Sequence, residues 1–155
     1  WMLGPENQGL VSMRAGLRSD GILNAARCLG VARRAFEEIV DWCKNRVQGG
    51  KPIIEHQAIA CELADMHVKL QAMRALVWNV AWSVDHEPPD PKGVPGVMAF
   101  CTENTFEIAH KAAELAGGAG VMKDSPFEKL LRDAFCIKHL DGGNYLKRFK
   151  VAAAL

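Results

Sequence analysis

Histidine and cysteine are the side chains most often used for metal binding and nucleophilic chemistry, and their spacing in this chain favours neither use. The chain has five of each. The histidines show no H-x-x-x-H or comparable ligand spacing; they are His56, His67, His86, His110 and His139. The cysteines are odd in number and contain no C-x-x-C pair, which argues against a disulfide framework and against structural zinc; they are Cys28, Cys43, Cys61, Cys101 and Cys136. We predict no metal site, and we expect most cysteines to be small buried apolar side chains in a reducing compartment.

Two aspartates and one arginine lie beside predicted helix ends, where structural and chemical roles are both open. Asp141 precedes Gly142, and an Asp-Gly pair favours a tight bend. Asp20 follows Ser19, and both are good N-cap residues. Arg46 lies at the end of a predicted helix, where a cation interacts favourably with the helix dipole. A carboxylate can also accept a proton, and a guanidinium can bind phosphate with two parallel hydrogen bonds.

Helical periodicity pervades the elements that would position these residues. Strand signals are weak, because the chain has a single tyrosine and no alternating β-branched run. The predicted helices span residues 6–17, about 20 to a break at 48–52, 55–84, 97–115, 126–137 and 144–155. Long helices joined by short loops favour antiparallel neighbours. The sequence therefore predicts an all-α fold, an antiparallel four-helix bundle in one domain over residues 1–155.

Apolar residues at spacings of three and four predict the inward face of each helix. In the first short helix they are Leu10, Val11 and Met13. In the long helix that follows they are Ile22, Ala26, Leu29, Ala32, Ala35 or Phe36, Ile39 or Val40, and Cys43. In the next they are Ala58, Leu63, Met66, Leu70, Met73, Leu76 or Val77, and Val80 or Ala81. The tryptophans at helical spacing predict packing in the core or between subunits; they are Trp42, Trp78 and Trp82.

Glycine, proline and serine predict where the helices begin and end. Gly49 is predicted to form a left-handed cap of the long helix, with Pro52 beyond it. Residues 85–95 contain four prolines and must form a connection. Ser125 supplies an N-cap, Pro126 fits the first helical position, and Glu128 completes a capping box.

Composition narrows the class of protein further. Nearly half of the 155 residues are apolar, so disorder is not expected. The formal net charge is +1, which gives no clustered basic surface for nucleic acid. No charge-free apolar run reaches about 18 residues, so we expect no membrane span. The first residues, 1–5, lack the features of a signal peptide and look like the interior of a longer protein.

Six short landmarks occur in a fixed order over almost the whole chain. They are 25–34 (AARCLGVARR), 46–52 (RVQGGKP), 55–59 (EHQAI), 63–66 (LADM), 117–120 (GGAG) and 126–134 (PFEKLLRDA). Each alone is a weak signal, but their order and separations resemble the C-terminal helical domain of the acyl-CoA dehydrogenases.

The resemblance implies a function for a larger protein that also has an N-terminal helical domain and a middle β-domain. Such enzymes are FAD flavoproteins, usually tetramers, that oxidise acyl-CoA thioesters to enoyl-CoA and pass electrons to an acceptor such as an electron-transfer flavoprotein. It implies homo- or hetero-oligomers formed through the bundle, in the bacterial cytoplasm or the mitochondrial matrix. The isolated chain is expected to bind FAD poorly and to be inactive. The alternative is a non-catalytic bundle subunit of a heteromeric complex.

The resemblance also assigns roles to individual residues. Asp141 stands where the family usually carries its catalytic Glu; some relatives have Asp there, although Asp reaches about 1.5 Å less far. Asp20 is the alternative base, near a position that a minority of members use. The implied cofactor contacts are Arg46, Glu114, Gly117, Gly118, Gly142 and Gly143.

Three departures from the family pattern weaken the implied cofactor site. Gly49 replaces an aromatic residue, Glu114 replaces Gln near a diphosphate, and Gly143 replaces a Thr hydroxyl.

Overall fold

The fold is all-α, as predicted. The structure is a computed structural model that describes residues 4–88 and 90–155, with only the backbone described for residues 14–19. The α-helices are α1 (Gly9–Asn45), α2 (Gln57–His86), α3 (Gly93–Leu115), α4 (Pro126–His139) and α5 (Gly143–Ala152). Short 3₁₀ helices cover Ile53–Glu55, Gly117–Val121 and Leu140–Gly142. A small antiparallel hairpin joins β1 (Val47–Gln48) to β2 (Lys51–Pro52).

The first four helices form the antiparallel bundle that the sequence predicts, with α3 as the central helix. Thr105 Oγ1 donates to the Cys28 carbonyl at 3.0 Å, which ties α3 to α1. Ion pairs of Lys69 with Glu107 and of Lys111 with Glu62 join α3 to α2. Phe135 of α4 packs against α3, and α5 returns along α3 with Arg148 paired to Glu103.

The core is built by α1, α2, α3 and α4, and mostly small side chains line the face that α1 contributes. The fully buried residues of α1 are Ala25, Cys28, Ala32, Ala35, Ile39 and Cys43. The predicted stripe is therefore correct at its centre and wrong at its beginning, because Ala26 is exposed and Ile22 and Leu29 are only half-buried. In α2 the predicted face is buried from Leu63 to Val80, whereas Ala58 is exposed.

The two predicted N-terminal helices are one continuous helix, α1. Neither Ser19 nor Asp20 begins a helix, because nothing in residues 9–20 forbids helical geometry and the N-cap lies at Gln8. The Ser19 side chain lies outside the described residues, as do residues 1–3. Leu10, Val11 and Met13 were predicted to face inward, but each is more than half exposed. No described part of the chain covers these three side chains, so the periodicity of the first turns of α1 does not correspond to a buried face.

The glycine pair after α1 forms a hairpin turn and not the predicted left-handed helix cap. Helix α1 already ends at Asn45, and Val47 pairs with Pro52 across the two-residue loop. Gly49 and Gly50 have φ of 65° and 81°, which is the geometry of a type I′ turn.

Two other helix boundaries show how proline acts at a first turn. Helix α3 begins at Gly93, four residues before the predicted start. Pro95 therefore lies in the first turn, where its missing amide leaves no bond unmade. At α4 the predicted start is confirmed, since Ser125 Oγ accepts from the Phe127 amide at 3.4 Å and Pro126 is the first helical residue. The predicted capping box is wrong, because the Glu128 carboxylate pairs with Arg132 and the Ser125 amide donates to the Met122 carbonyl instead.

The tryptophan prediction is correct only in part, whereas the prediction that most cysteines are buried is confirmed. Trp42 is half-buried and packs edge-on against Phe127, with ring centroids 6.1 Å apart. Core packing is wrong for Trp78 and Trp82, which are 65% and 54% exposed on α2. Of the cysteines, Cys28, Cys43 and Cys101 are buried, and Cys61 and Cys136 are exposed.

Candidate functional site

The first candidate site is the loop between α4 and α5, which holds Asp141 in a left-handed conformation. Asp141 has φ 54° and ψ 40°, a region that aspartate tolerates better than most residues with a Cβ atom. Gly142 and Gly143 follow at φ 82° and 70°, so three consecutive residues reverse the chain. Unusual backbone geometry of this kind is concentrated at functional sites.

The Asp141 carboxylate is bridged to Asp20 by one asparagine of α1. Asn24 Nδ2 donates to Asp141 Oδ2 at 3.2 Å and to Asp20 Oδ2 at 3.1 Å. Asn24 Oδ1 accepts from Arg27 Nη1 at 2.7 Å, and the Asn24 residue is only 4% exposed. The two carboxylates that the family resemblance implies as alternative bases therefore lie in one cluster.

A buried lysine of α5 holds the same loop from the other side. Lys147 is 3% exposed, and its Nζ donates to the Leu140 carbonyl at 2.8 Å. Burial lowers the pKa of Lys147, and the negative charge of Asp141 acts in the opposite direction. Burial also raises the pKa of the nearby Cys28 thiol to about 11, so Cys28 stays protonated and is a poor nucleophile at neutral pH. The loop is thus held by a cation beside its carboxylate.

A mainly apolar hollow of about 260 Å³ opens beside Asp141. Its apolar walls come from α1, α3 and α5 and are Gly21, Val94, Pro95, Met98 and Leu146. Asp141, Lys147 and Lys150 supply its charged groups. Gly21 keeps α1 close to α3 here, because a Cβ atom on it would come within 2.4 Å of Val94 Cγ1. The arrangement can place an apolar group next to a carboxylate that is able to accept a proton.

The second candidate site lies at the far end of α1, around Arg46. Arg46 follows the last helical residue, and its carbonyl accepts from the Ile53 amide at 2.9 Å, which fixes the hairpin to the helix end. The Arg46 side chain is exposed and takes part in none of the ion pairs or side-chain hydrogen bonds found among residues 4–88 and 90–155. Its guanidinium is available to an anionic group.

The predicted glycine contacts lie in the 3₁₀ turn Gly117–Val121, at this same end of the bundle. A hollow of about 420 Å³ is lined both by Trp42 of α1 and by Ala119 of the turn. Space is open where a Cβ atom would stand on Gly117 or Gly118, so the backbone there can approach a ligand. Gly120 has a structural role, since a Cβ atom on it would come within 2.0 Å of the Ala113 carbonyl oxygen.

Two of the residues that depart from the family pattern, Glu114 and Gly49, make local contacts in the structure. Glu114 is paired with Lys111 at 2.8 Å, and this cation holds the pKa of Glu114 below its usual range. Part of its negative charge is therefore offset. Gly49 belongs to the type I′ turn, and a Cβ atom on it would lie 3.2 Å from the His56 ring. The hairpin thus accounts for glycine where the family has an aromatic side chain.

The two candidate sites lie far apart within one chain. From Asp20 to Arg46, α1 is a continuous helix that spans about 40 Å at a rise of about 1.5 Å per residue. That separation exceeds the length of an extended dinucleotide. One bound molecule therefore cannot touch Arg46 and Asp141 of the same copy.

The predicted site residues thus fall into two groups. Asp20 and Asp141, with Gly142 and Gly143, lie at one end, and Arg46, Gly117 and Gly118 lie at the other, with Glu114 in the last turn of α3. Sequence reasoning missed Asn24, Lys147 and Gly120. Of these three, Asn24 is the easiest to find from the sequence, because it is a polar residue in the middle of an apolar stripe and lies four residues after Asp20.

Within residues 4–88 and 90–155, no three His, Cys, Asp or Glu side chains come together as metal ligands. None of the helices described there combines the length and the apolar character that crossing a bilayer requires.

The fold is a helical bundle with a carboxylate beside a mainly apolar hollow at one end and an exposed arginine near a glycine turn at the other. A family model described as the acyl-CoA dehydrogenase C-terminal domain matches residues 7–155. The chain therefore belongs to the acyl-CoA dehydrogenase family, in which it corresponds to the C-terminal domain.

Individual relatives agree with the family match. An acyl-CoA dehydrogenase of Bacillus subtilis is 36% identical over 154 residues, which are 99% of this chain and 41% of that protein. The structure of butyryl-CoA dehydrogenase from Megasphaera elsdenii superimposes with a TM-score of 0.93 at 29% identity, over 99% of this chain and 40% of that one. Nitroalkane oxidase gives a TM-score of 0.82 at 31% identity, over 88% and 33% of the respective chains. The chain spans about two fifths of the length of these dehydrogenases.

Proposed function

We propose that this chain is the C-terminal part of a longer, flavin-dependent acyl-CoA dehydrogenase, in which Asp141 is the catalytic base. The observation that carries the proposal is the Asp141 carboxylate itself. It lies at the edge of a mainly apolar hollow, hydrogen-bonded to Asn24 and close to the buried Lys147. A base that acts on an acyl chain requires an apolar environment of this kind.

The reaction removes two hydrogens from adjacent carbons of an acyl-CoA thioester. Asp141 accepts the α-hydrogen as a proton, and the electron pair of that C–H bond becomes the second bond between the α- and β-carbons. Bound FAD would supply the oxidant that loss of the β-hydrogen as a hydride requires. Lys147 holds the loop that carries Asp141 at the hollow, through its hydrogen bond to the Leu140 carbonyl.

Asp141 is favoured over Asp20 as the base because of its place in the hollow. Asp20 does not line the hollow. Its carboxylate accepts a hydrogen bond from Asn24 on the same helix. Asp20 therefore supports the cluster from α1 in this proposal. Its use as the base remains the alternative that an Asp20→Asn variant tests.

The residues at the Arg46 end fit an anionic dinucleotide in part. Arg46 would bind the FAD pyrophosphate, and the open backbone at Gly117 and Gly118 would approach its adenosine portion. Glu114 opposes this site, although Lys111 offsets part of its charge. Gly142 and Gly143 would lie at the flavin end beside Asp141.

The separation of the two ends implies that one FAD contacts two copies of the bundle. Since α1 separates Arg46 from Asn24 and Asp20, which hold Asp141, by about 33–40 Å, the Arg46 end of one copy would complete the site at the Asp141 end of another. We therefore propose a homo- or hetero-oligomer formed through the bundle, with an electron-transfer flavoprotein as electron acceptor.

The test uses the intact polypeptide that contains this chain. We expect the purified protein to carry FAD, visible as a flavin absorbance band, and to reduce an artificial electron acceptor with a panel of acyl-CoA thioesters. Asp141→Asn should lower turnover by at least about a hundredfold, which is typical for the loss of a general base. Full turnover by Asp141→Asn would remove its role as the base.

A non-catalytic subunit of a heteromeric dehydrogenase is the second candidate function. It is favoured by the hairpin glycine Gly49 and by Glu114, which weaken the FAD contacts at the Arg46 end. A colourless complex in which Asp141→Asn leaves turnover unchanged would support this candidate and contradict the first.

A further inference from the structure

The Asn24 amide uses both of its donors and one of the two lone pairs of its oxygen at the carboxylate cluster. A primary amide has two N–H donors on one nitrogen and an acceptor oxygen. In this structure Nδ2 donates to both Asp20 and Asp141, while Oδ1 accepts from Arg27. The contact with Arg27 also fixes which way the amide points, because a guanidinium can only donate.

This arrangement connects two parts of the chain that are distant in sequence. Asn24 and Asp141 are separated by 117 residues, and Asn24 is buried in the middle of the long helix α1. A side chain fixed on a buried helical surface has little freedom to move. Its hydrogen bond therefore selects one orientation of the Asp141 carboxylate.

Asp141 has more need of such support than the usual glutamate would. Its shorter side chain leaves the carboxylate oxygens close to the backbone, whose left-handed conformation already restricts their direction. An error of about 1 Å in the position of a catalytic group can lower the rate about a hundredfold. No other side chain is found to donate a hydrogen bond to the Asp141 carboxylate in the described part of the molecule.

We infer that Asn24 is the positioning residue for Asp141, with Asp20 and Arg27 holding the Asn24 amide in place. The inference rests on the proposed function, since it needs Asp141 to be the base. Asn24 acts through Asp141 and so determines turnover without binding the substrate. Asp20 serves in this cluster as an acceptor and not as a second base.

The experiment compares matched variants of the intact protein. In Asn24→Leu the side chain keeps a similar volume and loses every hydrogen bond, and in Asn24→Asp it keeps its shape but loses its N–H donors. The matched controls are Asn104→Leu and Asn104→Asp on α3, because Asn104 donates only to the Phe100 carbonyl, at 2.8 Å. We expect both Asn24 variants to lower kcat by about ten- to a hundredfold with KM changed less than about threefold, and the controls to match wild type.

A crystal structure of Asn24→Asp gives a readout that does not depend on turnover. We expect the Asp141 carboxylate to rotate away from α1, because three carboxylates would otherwise face one another. An unchanged Asp141 position together with unchanged kcat would overturn the inference. If Asn24→Leu does not fold, Arg27→Met provides the test, since Arg27 is exposed and its loss frees the Asn24 amide; a kcat equal to wild type would then count against the inference.

Failure of this inference can be told apart from failure of the proposed function. If Asp141→Asn abolishes turnover while the Asn24 variants retain it, Asp141 is the base and Asn24 does not position it. If wild type carries no FAD and oxidises no acyl-CoA, the proposed function is wrong and the role of Asn24 in it is wrong as well.

Discussion

The two ends of the bundle differ in how completely one chain builds them. At the Asp141 end, side chains from α1 and α5 converge on a single loop, and Asn24 and Lys147 there are almost entirely buried. At the Arg46 end, the guanidinium is exposed and the glycine turn presents bare backbone. The Asp141 carboxylate is held by a side chain of the same chain, whereas the Arg46 guanidinium has no such contact among the described residues.

This difference indicates how the work of the proposed site is divided. Proton abstraction requires a base fixed to within a fraction of an ångström, and a buried polar network can provide that within one chain. A phosphate-binding arginine needs less exact placement, because the ligand itself can orient the guanidinium. The predictions below test this contrast from the largest expected effect to the smallest.

The largest expected effect is a loss of stability, and it comes from a substitution that disturbs backbone packing at the glycine turn. Gly120→Ala forces a Cβ atom against the Ala113 carbonyl, and we expect a loss of about 3 kcal/mol in the free energy of unfolding. Gly118→Ala is the matched control, because its Cβ atom meets open space; we expect its stability to stay within about 0.5 kcal/mol of wild type. Urea denaturation measures both, and equal stabilities would show that the turn is not closely packed.

Removal of the exposed arginine should act on cofactor affinity alone. We expect Arg46→Gln in the intact protein to weaken FAD binding by about ten- to a hundredfold, which corresponds to the loss of a charge-assisted hydrogen bond. Arg74→Gln, on an exposed position of α2, serves as the control. Apoprotein titrated with FAD gives the dissociation constants. Equal values for Arg46→Gln and wild type would mean that this end does not bind the pyrophosphate.

The buried lysine at the other end should act on turnover. In Lys147→Met the loop loses both the bond to the Leu140 carbonyl and the positive charge near Asp141. We expect kcat to fall about tenfold, since the base becomes less well placed. Lys129→Met, an exposed change on α4, should match wild type. A Lys147→Met enzyme with wild-type kcat would show that the loop holds its geometry without the lysine.

The smallest effect is a dependence of stability on alkaline pH, which comes from the core between the two ends. Burial raises the pKa of Cys101 from 9.0 to about 12, so the unfolded chain loses this proton first. The contribution of the Cys101 thiol to the free energy of unfolding is fully present below about pH 9, and it is lost as the pH rises toward 12. Between about pH 9 and pH 11, we expect wild type to lose about 1–2 kcal/mol more than Cys101→Ala.

The comparison of wild type with the alanine variant isolates this effect from other groups in the core. Cys28 changes stability in the same direction, whereas the lowered pKa of Lys147 changes it in the opposite one, and both are present in each protein. Parallel losses of stability in the two proteins would show that Cys101 ionises as readily in the fold as outside it.

Sequence reasoning was most successful where a local rule decides the structure. The Ser125–Pro126 helix start follows from capping chemistry, and the buried face of α2 follows from helical periodicity. It failed where burial depends on what lies opposite. Leu10 and Trp78 have the right spacing for a core, but no element of the described chain covers them. The Gly49-Gly50 turn was read as a helix cap, because a glycine with positive φ suits both structures.

The candidate site shows the same division. Family resemblance assigned the roles of Asp141, Asp20 and Arg46, but the assignments treated each residue alone. Nothing in the sequence could join Asn24 to Asp141, because their contact depends on how α1 packs beside the loop that precedes α5. It was equally impossible to foresee that Lys147 would be buried, since a lysine is normally exposed.

By itself, then, the sequence determined the helices, the positions of most breaks and the family to which the six landmarks belong. These depend on neighbouring residues, whose effects on backbone geometry are local. Tertiary structure alone decided that two possible bases share one asparagine, that a buried lysine holds their loop, and that Arg46 lies about 40 Å away. Those are relations between distant segments, and packing of helices around α3 fixes them.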